Sequence, residues 1–108
     1  MSTKELDVPI ELQPRGTQSR SKPIRTTYHK KWRIQEVAVR EKNFPPFRLQ
    51  LYVNNNPQSP SILVSSTSPV KDFDYFEISE STIEFAATSN DGFSGPVIVT
   101  LHLKILEE

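Results

Sequence analysis

The C-terminal end of the chain alternates. In residues 96–106, Val97, Val99, Leu101, Leu103 and Ile105 take every second position, with Ile98, Thr100, His102 and Lys104 between them. A two-residue period is that of a half-buried strand. Residues 47–53 repeat it, with Phe47, Leu49, Leu51 and Val53 facing in and Arg48, Gln50 and Tyr52 facing out. Residues 32–41 place Trp32 and Ile34 on one face, then Val37 and Val39 on the other. That phase change predicts a strand with a bulge or bend. A short strand is predicted over 61–66, and a hairpin around Glu80 joins strands over 74–79 and 81–87, with Ile83 and Phe85 sharing a face. Residues 43–47 read as a stiff connector, 54–60 as a loop, 67–72 as a turn and 88–95 as a loop with two glycines. Six short strands at this spacing, with no helical stripe, predict an all-β fold: a small β-sandwich or jelly-roll-like body over residues 32–108.

Residues 1–31 follow a different pattern and read as an extended N-terminal arm. Only Val8, Ile10 and Leu12 alternate there, around Pro9 and Glu11. Pro9 cannot donate to a ladder, so this is an edge or added strand. It gains by pairing, with the body or with another subunit. Residues 13–33 carry Arg15, Arg20, Lys22, Arg25, Lys30, Lys31 and Arg33 and no acid. A stretch so poor in apolar residues becomes ordered only when outside contacts offset its chain entropy.

Charge sharpens this contrast. The formal net charge is zero, yet residues 1–34 hold eight Lys/Arg against three acids and residues 35–108 hold five against ten. A basic arm thus precedes an acidic body, and the arm has three readings. Its cations can neutralise phosphates along an extended path, with Tyr28 and Trp32 stacking on bases. It can lie over neighbouring protein subunits by strand addition and charge complementarity. It can also be a solvated tail. The equal and opposite charge of the body favours the second reading. The candidate protein-interaction residues are therefore Val8, Ile10, Leu12, Arg15, Arg20, Lys22, Arg25, Tyr28, Lys30, Lys31, Trp32 and Arg33. Trp32 also reads as a cap on the end of the core. The aromatics Phe44, Phe47, Phe73, Tyr75, Phe76, Phe85 and Phe93 are too many for one buried face, so some are expected at a surface or interface.

The 108-residue length fits one domain with a modest core, and nine prolines against three glycines fit turns and extended segments. No cysteine is present, so there is no disulfide framework or thiolate site. The first residues carry no apolar run of signal length, and no window reaches the roughly 18 apolar residues of a membrane span. A soluble, intracellularly made protein is expected, without membrane contact.

Catalytic chemistry finds little support. His29 lies in the arm and His102 on the outward face of the last strand, with no spacing that gathers them with acids, so each reads as an ordinary surface or interface side chain. Asp72, Asp74 and Glu77 lie close together, but without the glycine and carboxylate spacing of an EF-hand loop they read as a solvated turn. Residues 91–95, with Gly92 and Gly95, are followed by a strand rather than a helix, which leaves a β-turn loop instead of a phosphate cradle. No catalytic residue, metal or cofactor is expected.

Residues 49–101 nevertheless carry a sequence of elements: "LQLYVNNN", "DYFEIS", "STIEF" and "SGPVIVTLHL". Together they resemble a small β-module of tailed-bacteriophage virion proteins, including tail-fibre attachment regions. In that module a strand ends in a Val-Asn turn, and a Tyr-containing strand, a Thr-Ile-x-Phe strand and a Gly-led Val/Ile-rich strand follow. Asn54, Tyr75, Ile83, Phe85 and Gly95 fall at the matching points. The chain departs from the module in having Asn54-Asn55 where Asn-Gly is usual, and in a longer loop with an extra short strand. The resemblance implies a structural, non-catalytic protein of the virion, assembled in the host cytoplasm. The expected function is a capsid decoration (cement) protein that bridges shell subunits through its arm and β-body. Its implied partners are the major capsid protein or another virion protein and further copies of itself, a trimer being the expected form. A tail or neck adaptor is the close variant, and a nucleic-acid-binding β-domain using the basic arm is the alternative from another class.

Overall fold

The computed structural model describes residues 2–73 and 77–108, with backbone only at 59 and 60. Its strands are β1 (Ser2–Leu12), β2 (Gln18–Arg20), β3 (Ile24–Arg25), β4 (Lys31–Val39), β5 (Phe47–Val53), β6 (Asn56–Val64), β7 (Val70–Asp72), β8 (Ile78–Ser79), β9 (Thr82–Thr88) and β10 (Val97–Glu107). They form two antiparallel sheets. The first runs β1-β10-β4, with the short β7 and β8 both on the far side of β4. The second has β2 and β3 along one side of β9, then β5 and β6. The protein is all-β, a small β-sandwich-like body as expected.

The core lies between the sheets and follows the alternation. Val99, Leu101, Leu103 and Ile105 of β10 face Leu49, Leu51, Ile83 and Phe85 of the second sheet, all at most 1% exposed. The phase change in β4 is a bulge. Ile105 pairs Ile34 while Lys104 pairs Glu36, so Gln35 is the extra residue. One added residue returns the side chains to the same face, and Trp32, Ile34, Val37 and Val39 are all buried.

Several local expectations are corrected. Residues 54–60 are no open loop: Asn54 and Asn55, at φ 49° and 66°, make a two-residue hairpin turn, and β6 begins at Asn56. Asparagine tolerates this left-handed backbone better than other non-glycine residues. Residues 67–72 contain β7. No hairpin forms around Glu80, because β8 pairs with β4 in the first sheet while β9 belongs to the second. Glu80, at φ 48°, is where the chain crosses between sheets. Residues 74–76 of the expected strand over 74–79, including Tyr75, lie outside the described residues. Of the aromatics, Phe44, Phe47, Phe73 and Phe85 are buried and Phe93 packs partly on the core. Rings at 5.8 Å (Phe44–Phe47) and 6.4 Å (Phe73–Phe85) fill it. Tyr75 and Phe76 fall outside the described residues.

Residues 2–31 are extended, as expected, but they lie against their own body. β1 pairs with β10 from Ser2↔Glu107 to Leu12↔Val97 without a break. Its Val8, Ile10 and Leu12 are core side chains. In space, therefore, the boundary at 31/32 does not separate an arm from a body.

Candidate assembly interface

A β-sandwich must end its sheets, and each end presents unpaired backbone groups. Among the described residues the edges differ sharply. β2 and β3 at one edge, and β7 and β8 at another, are only two or three residues long. β6 is long but irregular: it spends residues Gln58 to Ile62 where β5 spends only Leu49 to Leu51, and it includes Pro57. Such bulges turn an edge away from partners. β1 is eleven residues long and unbulged, and it pairs on its inner side only. Its outward side chains are Thr3, Glu5, Asp7, Pro9 and Glu11, all exposed.

A charged clamp holds β1 to the sheet. Asp7 pairs directly with His102 of β10. The two histidine nitrogens reach two carboxylates: Nδ1 lies 2.6 Å from Asp7 Oδ1 and Nε2 lies 2.8 Å from Glu5 Oε1. Both nitrogens can donate only in the imidazolium form. The hydrogen bonds to Asp7 and then Glu5 accordingly raise the His102 pKa, against partial burial and the nearby Arg40 charge. The same bonds hold both carboxyls below their ordinary values. Arg40 Nη2 lies 3.7 Å from Asp7 Oδ1 and 2.8 Å from His102 Nδ1.

A second anchor closes the far end of the same strands. Glu107 Oε2 accepts hydrogen bonds from Thr27 Oγ1 at 2.6 Å and Trp32 Nε1 at 2.7 Å, with Lys4 Nζ 3.9 Å away. The Thr27 and Trp32 donors lower the Glu107 pKa. Lys4 also sits 5.3 Å over the Trp32 ring. One carboxylate thus joins β1, the turn before β4, and β10.

The residues expected to meet a partner are dispersed. Val8, Ile10, Leu12 and Trp32 face the protein's own core, at 4% exposure or less, which corrects their assignment to a partner. The reason is physical: β1 finds its ladder in cis, and its apolar face then closes the sandwich. Arg20 is tied within the second sheet, 3.7 Å over the Tyr52 ring, 3.6 Å from Glu84 and bonded to Asn55. Arg33 reaches Glu77 at 3.5 Å. Arg15, Lys22, Arg25, Tyr28, Lys30 and Lys31 are exposed. Three of these form an exposed tip, where Tyr28 is 78% exposed and its ring centroid lies 3.9 Å from that of His29 with the planes tilted by 48°, beside Lys30 and Lys31. His29 is 3.5 Å from Glu80. Asp72 lies in β7, Glu77 faces Arg33, and Asp74 lies outside the described residues.

The functional geometry that sequence reasoning missed is the Glu5–His102–Asp7 clamp. Its faint signal is the outward placement of Glu5, Asp7 and His102 on alternating strands. Searches of family models, curated proteins and solved structures return no match for this chain.

Proposed function

We propose that the protein is a structural component of a tailed-phage virion, a capsid decoration protein that stabilises the shell by docking its β-sandwich across neighbouring subunits. Its work is mechanical: each docked copy adds interface between subunits that otherwise meet weakly and so opposes internal pressure. Two lines support this reading. The first is the resemblance over residues 49–101. The second, which carries it, is the long unbulged edge of β1, a surface suited to main-chain pairing with another protein. Fastening then proceeds through this edge and the Tyr28–Lys31 tip rather than through a free arm. A tail or neck adaptor would use the same surfaces on a different part of the particle.

Co-sedimentation of the protein with assembled phage shells tests the proposal. Binding to shells is expected, together with bound copies that raise the temperature at which shells disrupt. A protein that leaves shells, necks and tails alike untouched contradicts it. The exposed tip favours one second reading, nucleic-acid binding through Tyr28, Lys30 and Lys31. That reading requires DNA affinity to fall steeply with salt, the slope of log affinity against log salt being about −0.9 for each phosphate neutralised. A decoration protein shows no such DNA affinity.

A further inference from the structure

Resting on that assembly reading, we propose that the open edge of β1 accepts an extended segment of a partner protein in which basic and apolar residues alternate, adding it as a new strand beside residues 2–8. The backbone geometry is in place: eleven residues in unbroken register on the inner side leave an unbulged outer edge. The side chains define what fits. Glu5, Asp7 and Glu11 line the outward face of this edge, no base stands on β1's own outward face, and the cations that meet Glu5 and Asp7, His102 and Arg40, reach them from β10 and the end of β4 on the inner side. The bonds to His102 use Glu5 Oε1 and Asp7 Oδ1, and both side chains remain more than half exposed, at 56% and 57%. A carboxylate accepts more than one hydrogen bond, so each can also meet a cation arriving from the open side. On the inward face, Leu6 packs on the core while staying partly exposed. An incoming apolar side chain there continues the core.

The same acids exclude a second copy of this chain. Two β1 strands pairing edge to edge about a two-fold axis keep their outward side chains on one common face. Glu5, Asp7 and Glu11 of one copy then crowd the same acids of the other, and like charges across a pair are destabilising. The edge is thus closed to itself and open to a basic strand. Further along, β1 meets a groove of about 260 Å³ lined by Pro9, Glu11, Arg20, Lys22 and Ile98. The cations of that groove confine the basic partner to residues 2–8.

An NMR titration of the full chain tests this, using a short peptide that alternates valine and lysine and a matched peptide of valine and glutamate. The lysine peptide is expected to shift and protect amides of residues 2–8, to bind at least about tenfold tighter than the glutamate peptide, and to weaken as salt is added. Thr3→Lys places a cation on the outward face away from the His102 clamp, so the fold is kept, and it is expected to weaken lysine-peptide binding about threefold or more. Equal binding of both peptides, binding of neither, perturbation centred on β6, or self-association of the chain through β1 would each overturn the inference. Shell binding without peptide binding removes this inference and leaves the assembly reading standing. Peptide binding without shell binding does the reverse.

Discussion

Two neighbouring pieces of the N-terminal third, β1 and the segment carrying β2 and β3, both lie along sheet edges and are held by different forces. β1 docks by burial: Val8, Ile10 and Leu12 close the core beside β10, and the acid–histidine clamp grips the outer face. Residues 18–26 bury little apolar surface. They are held by backbone bonds to the edge of β9, such as Ser21 N–H to Phe85 C=O at 2.8 Å and Thr26 N–H to Ser81 C=O at 2.9 Å. Buried hydroxyls complete the attachment. Ser21 Oγ accepts from the Phe85 N–H at 2.9 Å, and Thr26 Oγ1 accepts from the Ser81 N–H at 3.0 Å. A polar segment therefore becomes ordered without a core of its own, because its few hydroxyls are buried and satisfied. The comparison also separates two kinds of edge: one short and tied down by hydroxyls, the other long, apolar beneath and open outside.

The largest effect that can break this contrast is Leu12→Ala. It removes a fully buried side chain at the end of β1 and is expected to destabilise the fold by about 2–5 kcal/mol in denaturant unfolding. A loss below about 1 kcal/mol would mean that β1 is not held by burial. Thr26→Val comes next. It keeps the shape but removes the hydroxyl facing Ser81, so a loss of about 1–3 kcal/mol is expected, with faster amide exchange confined to residues 18–26. Spread of that effect into β1 would erase the distinction between the two regions.

The clamp gives a smaller, pH-dependent effect. The folded His102 pKa is raised, so its contribution is complete below the ordinary histidine pKa and is lost as pH rises through the folded value. The folded Glu5 and Asp7 pKa values are lowered, so their contribution is present above the ordinary carboxyl range and is lost as pH falls through the folded values. Exchange protection of β1 is therefore expected to peak between the carboxyl range and the raised histidine value, and His102→Gln should flatten its alkaline limb. An unchanged alkaline limb in that variant would remove His102 from the clamp. The smallest expected effect is Asn55→Gly, which turns the β5–β6 turn into the favoured Asn-Gly pair and is expected to change stability by no more than about 0.5 kcal/mol.

Much of the sandwich was legible from alternation. β4, β5, β9 and β10 stand where the period places them, and the bulge in β4 was readable as the phase change between Ile34 and Val37. Period reports a face but not a neighbour. It could show that "DVPIEL" wants a partner strand, though not that β10 of the same chain supplies it. For the same reason residues 74–87 read as a hairpin, since two adjacent short strands carry no mark of belonging to different sheets. The order of residues 18–26 was hidden because it rests on serine and threonine hydroxyls, which resemble loop residues until a partner buries them. The clamp was hidden because Glu5, Asp7 and His102 are nearly a whole chain apart in sequence and meet only through the β1–β10 register.

Amide hydrogen exchange over residues 2–12, with and without assembled shells, bears most directly on the central claim that β1 is folded onto its own sheet and offers its outer edge for docking. In the free protein, alternate amides of β1 should be protected through their bonds to β10 and the others should exchange freely. On shells the freely exchanging set should become protected while β6 stays unchanged. If all of β1 exchanges rapidly in the free protein, or if shells protect β6 and leave β1 as it was, the claim is wrong.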